Sequence, residues 1–187
     1  MKIFKRAVSI FLALALLFAL TACGNDGSGA ALSYPIESQP ECLDPQIAQG
    51  AEAKTVVLNC FEGLVRKDSE GKFSPAAAKS WSYDSASLTY TFKLREDARW
   101  VIMKKAYKSI LGDDIDNTFD SRVTAADFVF ALKRAVNPAT GAPEAMSLGV
   151  IKNAKSIING KLSPDKLGVR AVGDFELRIT LEHATDE

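Results

Sequence analysis

The sequence predicts an α/β chain of mixed sheets with flanking helices, and three stretches carry that prediction. In Leu88-Thr89-Tyr90-Thr91-Phe92-Lys93-Leu94 the apolar residues alternate with Thr, Thr and Lys, the period of two of a half-buried strand. Phe175, Leu177, Ile179 and Leu181 repeat that alternation near the C-terminal end. Between them, Val123 to Val136 reads as a helix, with Phe128, Ala131, Leu132, Ala135 and Val136 on one face. Thr124 and Asp127 stand at capping-box spacing at its start, a hydroxyl and a carboxylate suited to the orphan amides and positive end of a helix. Hairpin-like strands and separate helices are compatible with either α/β or α+β.

Residues 1–22 read as an export signal rather than part of the fold. Lys2, Lys5 and Arg6 make a positive start, and Ala7 to Leu20 continue without a charge. A helix of those residues is roughly 21 Å long, short of the roughly 30 Å hydrocarbon core of a bilayer. Leu20-Thr21-Ala22-Cys23 resembles a bacterial lipobox, in which Cys23 carries lipid and begins the mature protein. Residues 23–30 are small and polar, as a flexible tether should be. Each buried acyl CH2 contributes about 0.8 kcal/mol, so a doubly acylated cysteine anchors firmly.

The whole chain carries 23 basic and 23 acidic residues. Removing the signal takes three basic residues and no acids, so the mature protein is slightly acidic. That balance excludes a dedicated nucleic-acid binder, which would show a basic excess. Cys42 and Cys60 remain, and an exported chain meets an oxidising compartment. A bridge between them would close a loop of about 19 residues, stabilising by roughly 3 kcal/mol in the chain-entropy picture. Two separate buried thiols are the alternative.

In chain order, Ala31 to Glu37 is the first expected strand. Pro40 and Pro45 keep the next stretch irregular. Ala53, Val56, Val57, Cys60, Phe61 and Leu64 recur at helical spacing, predicting a helix over Ala51 to Glu62 that Gly63 ends. Leu64-Val65 pair briefly before a turn at Asp68 to Lys72. Ser74 as cap and Pro75 at the first position predict a short helix reaching Lys79. Trp81, Trp100 and Tyr90 are of the types that more often fill a core than meet a ligand. Beyond the breaker Asn137 to Pro143, Leu148 to Asn159 reads as a helix stopped by Gly160. Val169 to Val172 and Phe175 to Leu181 are strands joined around Gly173-Asp174.

No catalytic constellation emerges. Gly71-Lys72 and Gly160-Lys161 lack the spacing and the Ser or Thr of a phosphate loop. Asp113, Asp114, Asp116 and Asp120 lack the glycine and distal glutamate of a calcium loop, and read as a solvated acidic loop. His183, the single histidine, has no nucleophile in context and reads as an exposed bystander. No enzyme, metal or cofactor is expected.

Several motifs together resemble the N-terminal part of the extracytoplasmic solute-binding proteins of peptide ABC transporters, the oligopeptide-binding type, family 5. After the lipobox they are Leu43-Asp44-Pro45-Gln46, Phe61-Glu62-Gly63-Leu64-Val65 and Pro75-Ala76-Ala77-Ala78-Lys79-Ser80-Trp81. Tyr90 to Trp100, Val123 to Val129, Asn137-Pro138 and Leu177 to Leu181 complete the set in the family's order. Two departures stand out. Val101 to Arg122 intervenes where the family passes directly from the tryptophan corner to the Val-Thr-Ala helix, and reads as a surface insertion, part helix and part loop. The chain also reads as truncated, with 31–187 a partial solute-binding domain: the start of the first lobe plus a small subdomain.

The resemblance implies a two-lobed, type II periplasmic-binding-protein-like fold that closes on a peptide and delivers it to a membrane permease. Gln39, Pro40, Glu41 and Cys42 would then run along the cleft and offer main-chain groups, as in strand addition. Phe130 corresponds to a position that often carries a ligand-facing aromatic. The alternatives are that Cys42 is only half of a bridge and that Phe130 is core. The same scaffold also serves dipeptides, nickel chelates and sugars, and a surface lipoprotein acting as an interaction module is a competing class. Half a clamp would bind peptide weakly or not at all on its own.

Overall fold

A computed structural model describes residues 33–102, 107–109 and 119–184. The signal, Cys23, the tether and most of the insertion lie outside the described residues. The chain divides into two units, Met1–Glu37 and Ser38–Glu187. In the first, residues 33–37 form no strand, against the expectation for Ala31 to Glu37. Pro35 removes a ladder donor there, and a strand exists only by pairing.

The second unit is built on a four-stranded antiparallel sheet in the order β3 (Ala78–Asp84), β4 (Thr89–Leu94), β6 (Glu176–Thr180), β5 (Val169–Ala171). Before it come helix α1 (Ala51–Cys60) and a small hairpin of β1 (Val65–Lys67) and β2 (Phe73–Pro75). The predicted turn at Asp68 to Lys72 closes that hairpin: Asp68 Oδ1 accepts the N–H groups of Glu70 and Lys72 at 2.9 and 2.8 Å. Helix α1 stops at Cys60, two residues before the expected end, and Phe61 N–H caps onto Val57 O.

The short helix expected from Ser74 to Lys79 does not form. Phe73–Pro75 is β2, and β3 spans Ala78–Asp84. Ala77 N–H donates to Gly63 O at 3.1 Å, Ala78 N–H to Leu64 O at 2.9 Å, and Ala77 O accepts from Arg95 N–H at 2.9 Å. Ala76, Ala77 and Ala78 are all buried. Their small side chains let three stretches of backbone approach closely, and those tertiary bonds outweigh the modest helical preference of alanine.

Strand β4 (Thr89–Leu94) is the sheet's central ladder, paired with β3 on one side and β6 (Glu176–Thr180) on the other. Its register sets Trp81, Phe92, Leu177 and Ala171 in one row and Tyr83, Tyr90, Ile179 and Val169 in the next. The intervening residues, such as Ser82, Thr91, Arg178 and Arg170, are polar, as the period of two requires. Strand β5 (Val169–Ala171) lies outside β6. The expectation that Trp81 and Trp100 fill the core is not met, since they are 37% and 40% exposed. Trp81 sits on the edge strand and Trp100 beyond the sheet, where too little packs over an indole to bury it.

Helix α2 (Ala125–Val136) crosses the apolar face of this sheet behind its predicted cap: Thr124 N–H donates to Asp127 Oδ2 at 2.7 Å. Two buried clusters meet beneath it. One joins Ala78, Leu94, Ala125 and Leu177; the other joins Val136, Ile151, Ala154, Ile157, Leu167 and Val169. Val129 of the helix and Ile179 of β6 pack against both, which makes the core continuous.

The helix expected from Leu148 to Asn159 is broken. A 3-10 turn covers Ala145–Leu148, Asn153 takes a left-handed φ of 68°, and only α3 (Ala154–Ile158) is α-helical. Between them Ile151 bridges to Leu181, and Lys152 N–H donates to Thr180 O at 3.0 Å. The chain therefore leaves its helical path to extend the end of β6. Gly168 makes the approach possible, because a Cβ there would stand 2.7 Å from Lys152 Cβ and 2.8 Å from Thr180 O.

The insertion leaves the body through a narrow neck. Arg99 pairs with Arg122 as an antiparallel bridge, Trp100 N–H donates to Ser121 O at 2.7 Å, and Val123 N–H donates to Ala98 O at 3.1 Å. Lys108 sits in a helical turn, residues 107–109. The neck explains how Val101 to Arg122 interrupts the corner without separating β4 from α2.

Candidate functional site

The candidate site is the stretch from Ser38 to Ile47 and the helix face against which it lies. Ser38 to Leu43, with Pro40 inside it and Pro45 just beyond, forms no regular structure. Among the described residues, no N–H or C=O of Ser38 to Leu43 forms a main-chain hydrogen bond. Backbone groups left without partners must be met by water or by a ligand.

The next residues, Asp44 to Ala48, are tightly held. Asp44 forms an Asx turn, its Oδ1 accepting from Gln46 N–H at 3.0 Å, and its carbonyl accepts from Ala48 N–H at 2.8 Å. Arg134 of α2 then grips the turn. Its Nη1 donates to Asp44 Oδ1 at 2.9 Å and to Gln46 Oε1 at 2.7 Å, and its Nη2 donates to Asp44 Oδ2 at 2.5 Å. Gln46 answers by donating its Nε2 to Ala131 O at 2.7 Å. A planar guanidinium matches a carboxylate with two parallel bonds, so this contact fixes orientation as well as distance. The Arg134 hydrogen bond, helped by Gln46 N–H, holds the Asp44 carboxyl below its usual range; the same pairing raises Arg134.

Phe130 lies one helical turn before Arg134, on the same side of α2. It is 69% exposed, so the core alternative for this residue does not hold in this structure. Phe130 and the residues that hold the turn, Ala131 and Arg134, therefore belong to one helix. Gln39 and Glu41 are exposed and Pro40 and Cys42 half-buried.

The cysteine bridge is not formed. Cys42 and Cys60 are both free, and with Cys42 half-buried and Cys60 exposed the alternative of two buried thiols is not met either. Cys42 Sγ accepts from Asp44 N–H at 3.4 Å, a local role within the turn. Cys60 instead borders a second concavity of about 820 Å³ below the neck, with Phe61, Trp100, Tyr107, Phe119 and Phe128. His183 is exposed, and among the described residues no group of His, Cys, Asp and Glu could hold a metal ion.

Sequence reasoning missed Asp44, Gln46 and Arg134 as a working unit. The Asp-Pro-Gln order was a visible signal for the Asx turn. Arg134, 90 residues on, had no local signal at all.

This arrangement is a small mixed α/β body with an irregular arm clamped to one helix by Arg134. Residues 72–187 match the family model described as bacterial extracellular solute-binding proteins, family 5 Middle, and the chain belongs to that family. Among its relatives, the periplasmic oligopeptide-binding protein OppA of Haemophilus influenzae is 41% identical over 74% of this chain and 23% of its own length. The dipeptide-binding protein of Lactococcus lactis is 34% identical over 89% of this chain and 27% of its own. The solved structure of the Escherichia coli murein tripeptide binding protein MppA superposes with a TM-score of 0.64 at 37% identity, covering 79% of this chain and 26% of that one. The chain spans about a quarter of the length of the relatives it matches.

Proposed function

We propose that this protein is the substrate-binding component of an ABC importer, taking oligopeptides outside the cytoplasm and delivering them to permease subunits in the membrane. It is anchored to the bilayer through an acylated Cys23. The observation that carries the peptide reading is the stretch from Gln39 to Leu43, which forms no main-chain hydrogen bond among the described residues and is tied through Asp44 to the helix that carries the exposed ring of Phe130. An extended peptide can add to such a row through its own backbone, whatever its side chains, while an aromatic supplies apolar contact. Relatives named for oligopeptide, dipeptide and murein tripeptide binding support that reading. Binding by non-covalent contact needs no catalytic group.

Titrating the 15N-labelled mature chain with a mixture of pentapeptides tests it. Shifts confined to Gln39, Glu41, Cys42 and Phe130 are expected, at low affinity. No shift at millimolar peptide would refute the site. A dipeptide cargo is the competing reading, and dipeptides moving the same resonances more tightly than pentapeptides would favour it. The anchor has its own test: Cys23→Ser should release the protein from membranes and remove the mass of the lipid.

A further inference from the structure

We infer that Arg134 is the positioning residue of the peptide site: it fixes the path of Gln39 to Leu43 without itself touching the ligand. The inference rests on the peptide-binding reading of that stretch and assigns it a supporting device.

Ser38 to Leu43 make no main-chain hydrogen bond among the described residues, so no ladder or helix of the fold sets their course. The attachment is at their C-terminal end. There Arg134 meets both oxygens of Asp44 and the side-chain oxygen of Gln46, and Gln46 returns a bond to Ala131 O. One guanidinium and one amide thus tie the turn to two successive turns of α2. Cys42 Sγ, accepting from Asp44 N–H, carries the constraint two residues back toward the arm. Phe130 stands on the same helix, so the clamp also sets the offset between the arm and the aromatic.

An arm held this way offers its donors and acceptors in one arrangement. A loose arm would have to be ordered by each ligand, and that entropy would be subtracted from affinity. The fork geometry is essential. Lysine supplies the charge from a single point and cannot hold two carboxylate oxygens and an amide oxygen together.

The test is 15N relaxation on the mature chain, comparing wild type with Arg134→Ala and Arg134→Lys. In wild type the amides of Gln39, Glu41, Cys42 and Leu43 should show order parameters near the rigid value of about 0.85. In Arg134→Ala they should fall below about 0.6, with Leu177 and Ile179 unmoved. Arg134→Lys should recover little of the order. Peptide affinity in Arg134→Ala should drop at least tenfold while saturating shifts at Phe130 persist. If Arg134→Ala fails to fold, Asp44→Asn keeps the turn's acceptor, removes the charged pairing and should loosen the same four amides. Unchanged order in either variant, or full recovery by lysine, overturns the assignment. A wild type that ignores peptide would end the peptide reading, whereas the order parameters would still judge Arg134.

Discussion

Excising the insertion at its neck is the sharpest test of how the fold accommodates it. Arg99 and Arg122 are already bridged, and Trp100 N–H donates to Ser121 O, the narrow pair that a two-residue hairpin closes. Replacing residues 101–120 by Asn-Gly should therefore leave β4 and α2 where they are. The loop between the bridged arginines shrinks from about 22 residues to about four, which favours folding by roughly 1.5 kcal/mol in closure entropy. Against this, Tyr107 and Phe119 lose the buried part of their rings; they are 40% and 38% exposed, so the loss is about 1 kcal/mol each. The Asp120–Arg122 pair is at the surface and screened, so its loss changes little. The net is a destabilisation of roughly 1 kcal/mol at most, a fall in Tm of about 2–4 °C at this size. Thermal unfolding followed by circular dichroism measures it. An unfolded product, or a fall above about 10 °C, would show that the insertion is part of the core and refute the neck argument.

Two further outcomes are expected. Leu177→Ala removes three carbons from a side chain with 0% exposure between Phe92 and Ala171; transfer alone accounts for about 2.4 kcal/mol and the cavity raises the loss to about 3–4 kcal/mol, read as a shift in the urea midpoint. The Asp44 carboxyl titrates below 3.8 because it accepts from Arg134, so the clamp contributes fully above the usual carboxylate range. That contribution is lost as pH falls through the lowered value. The amides of Gln46 and Ala48 should accordingly keep their hydrogen-exchange protection through the ordinary carboxylate range and lose it only below that range, and protection that fails at pH 5 would contradict the pairing.

The parts of this protein legible in the sequence are those with a short-range cause. The capping box needs only Thr124 and Asp127, three residues apart. The alternation of β4 and β6 follows from the pleat, and the turn at Asp68 to Lys72 from an aspartate that bonds its own neighbours. The expected helices that do not form are the ones whose backbone groups find distant partners. Pro75-Ala76-Ala77-Ala78 has good local helical chemistry, yet its amides and carbonyls are taken by Gly63, Leu64 and Arg95. Leu148 to Asn159 has helical spacing, but Ile151 and Lys152 are taken by the end of β6.

The candidate site divides in the same way. Gln39 to Cys42 and Phe130 are reached through resemblance. That the arm before Asp44 is tied to the helix of Phe130 depends on Arg134 reaching Asp44 across 90 residues of sequence. The sequence by itself determined the α/β character, the family and the cap, because periodicity, order of motifs and a three-residue spacing are all local information. Only the tertiary structure decided that the arm is clamped, that Phe130 stays in solvent and that the insertion is a closed neck. Each of those rests on a contact between residues far apart in the chain, whose pairing is chosen by the packed core and by no pattern near either partner.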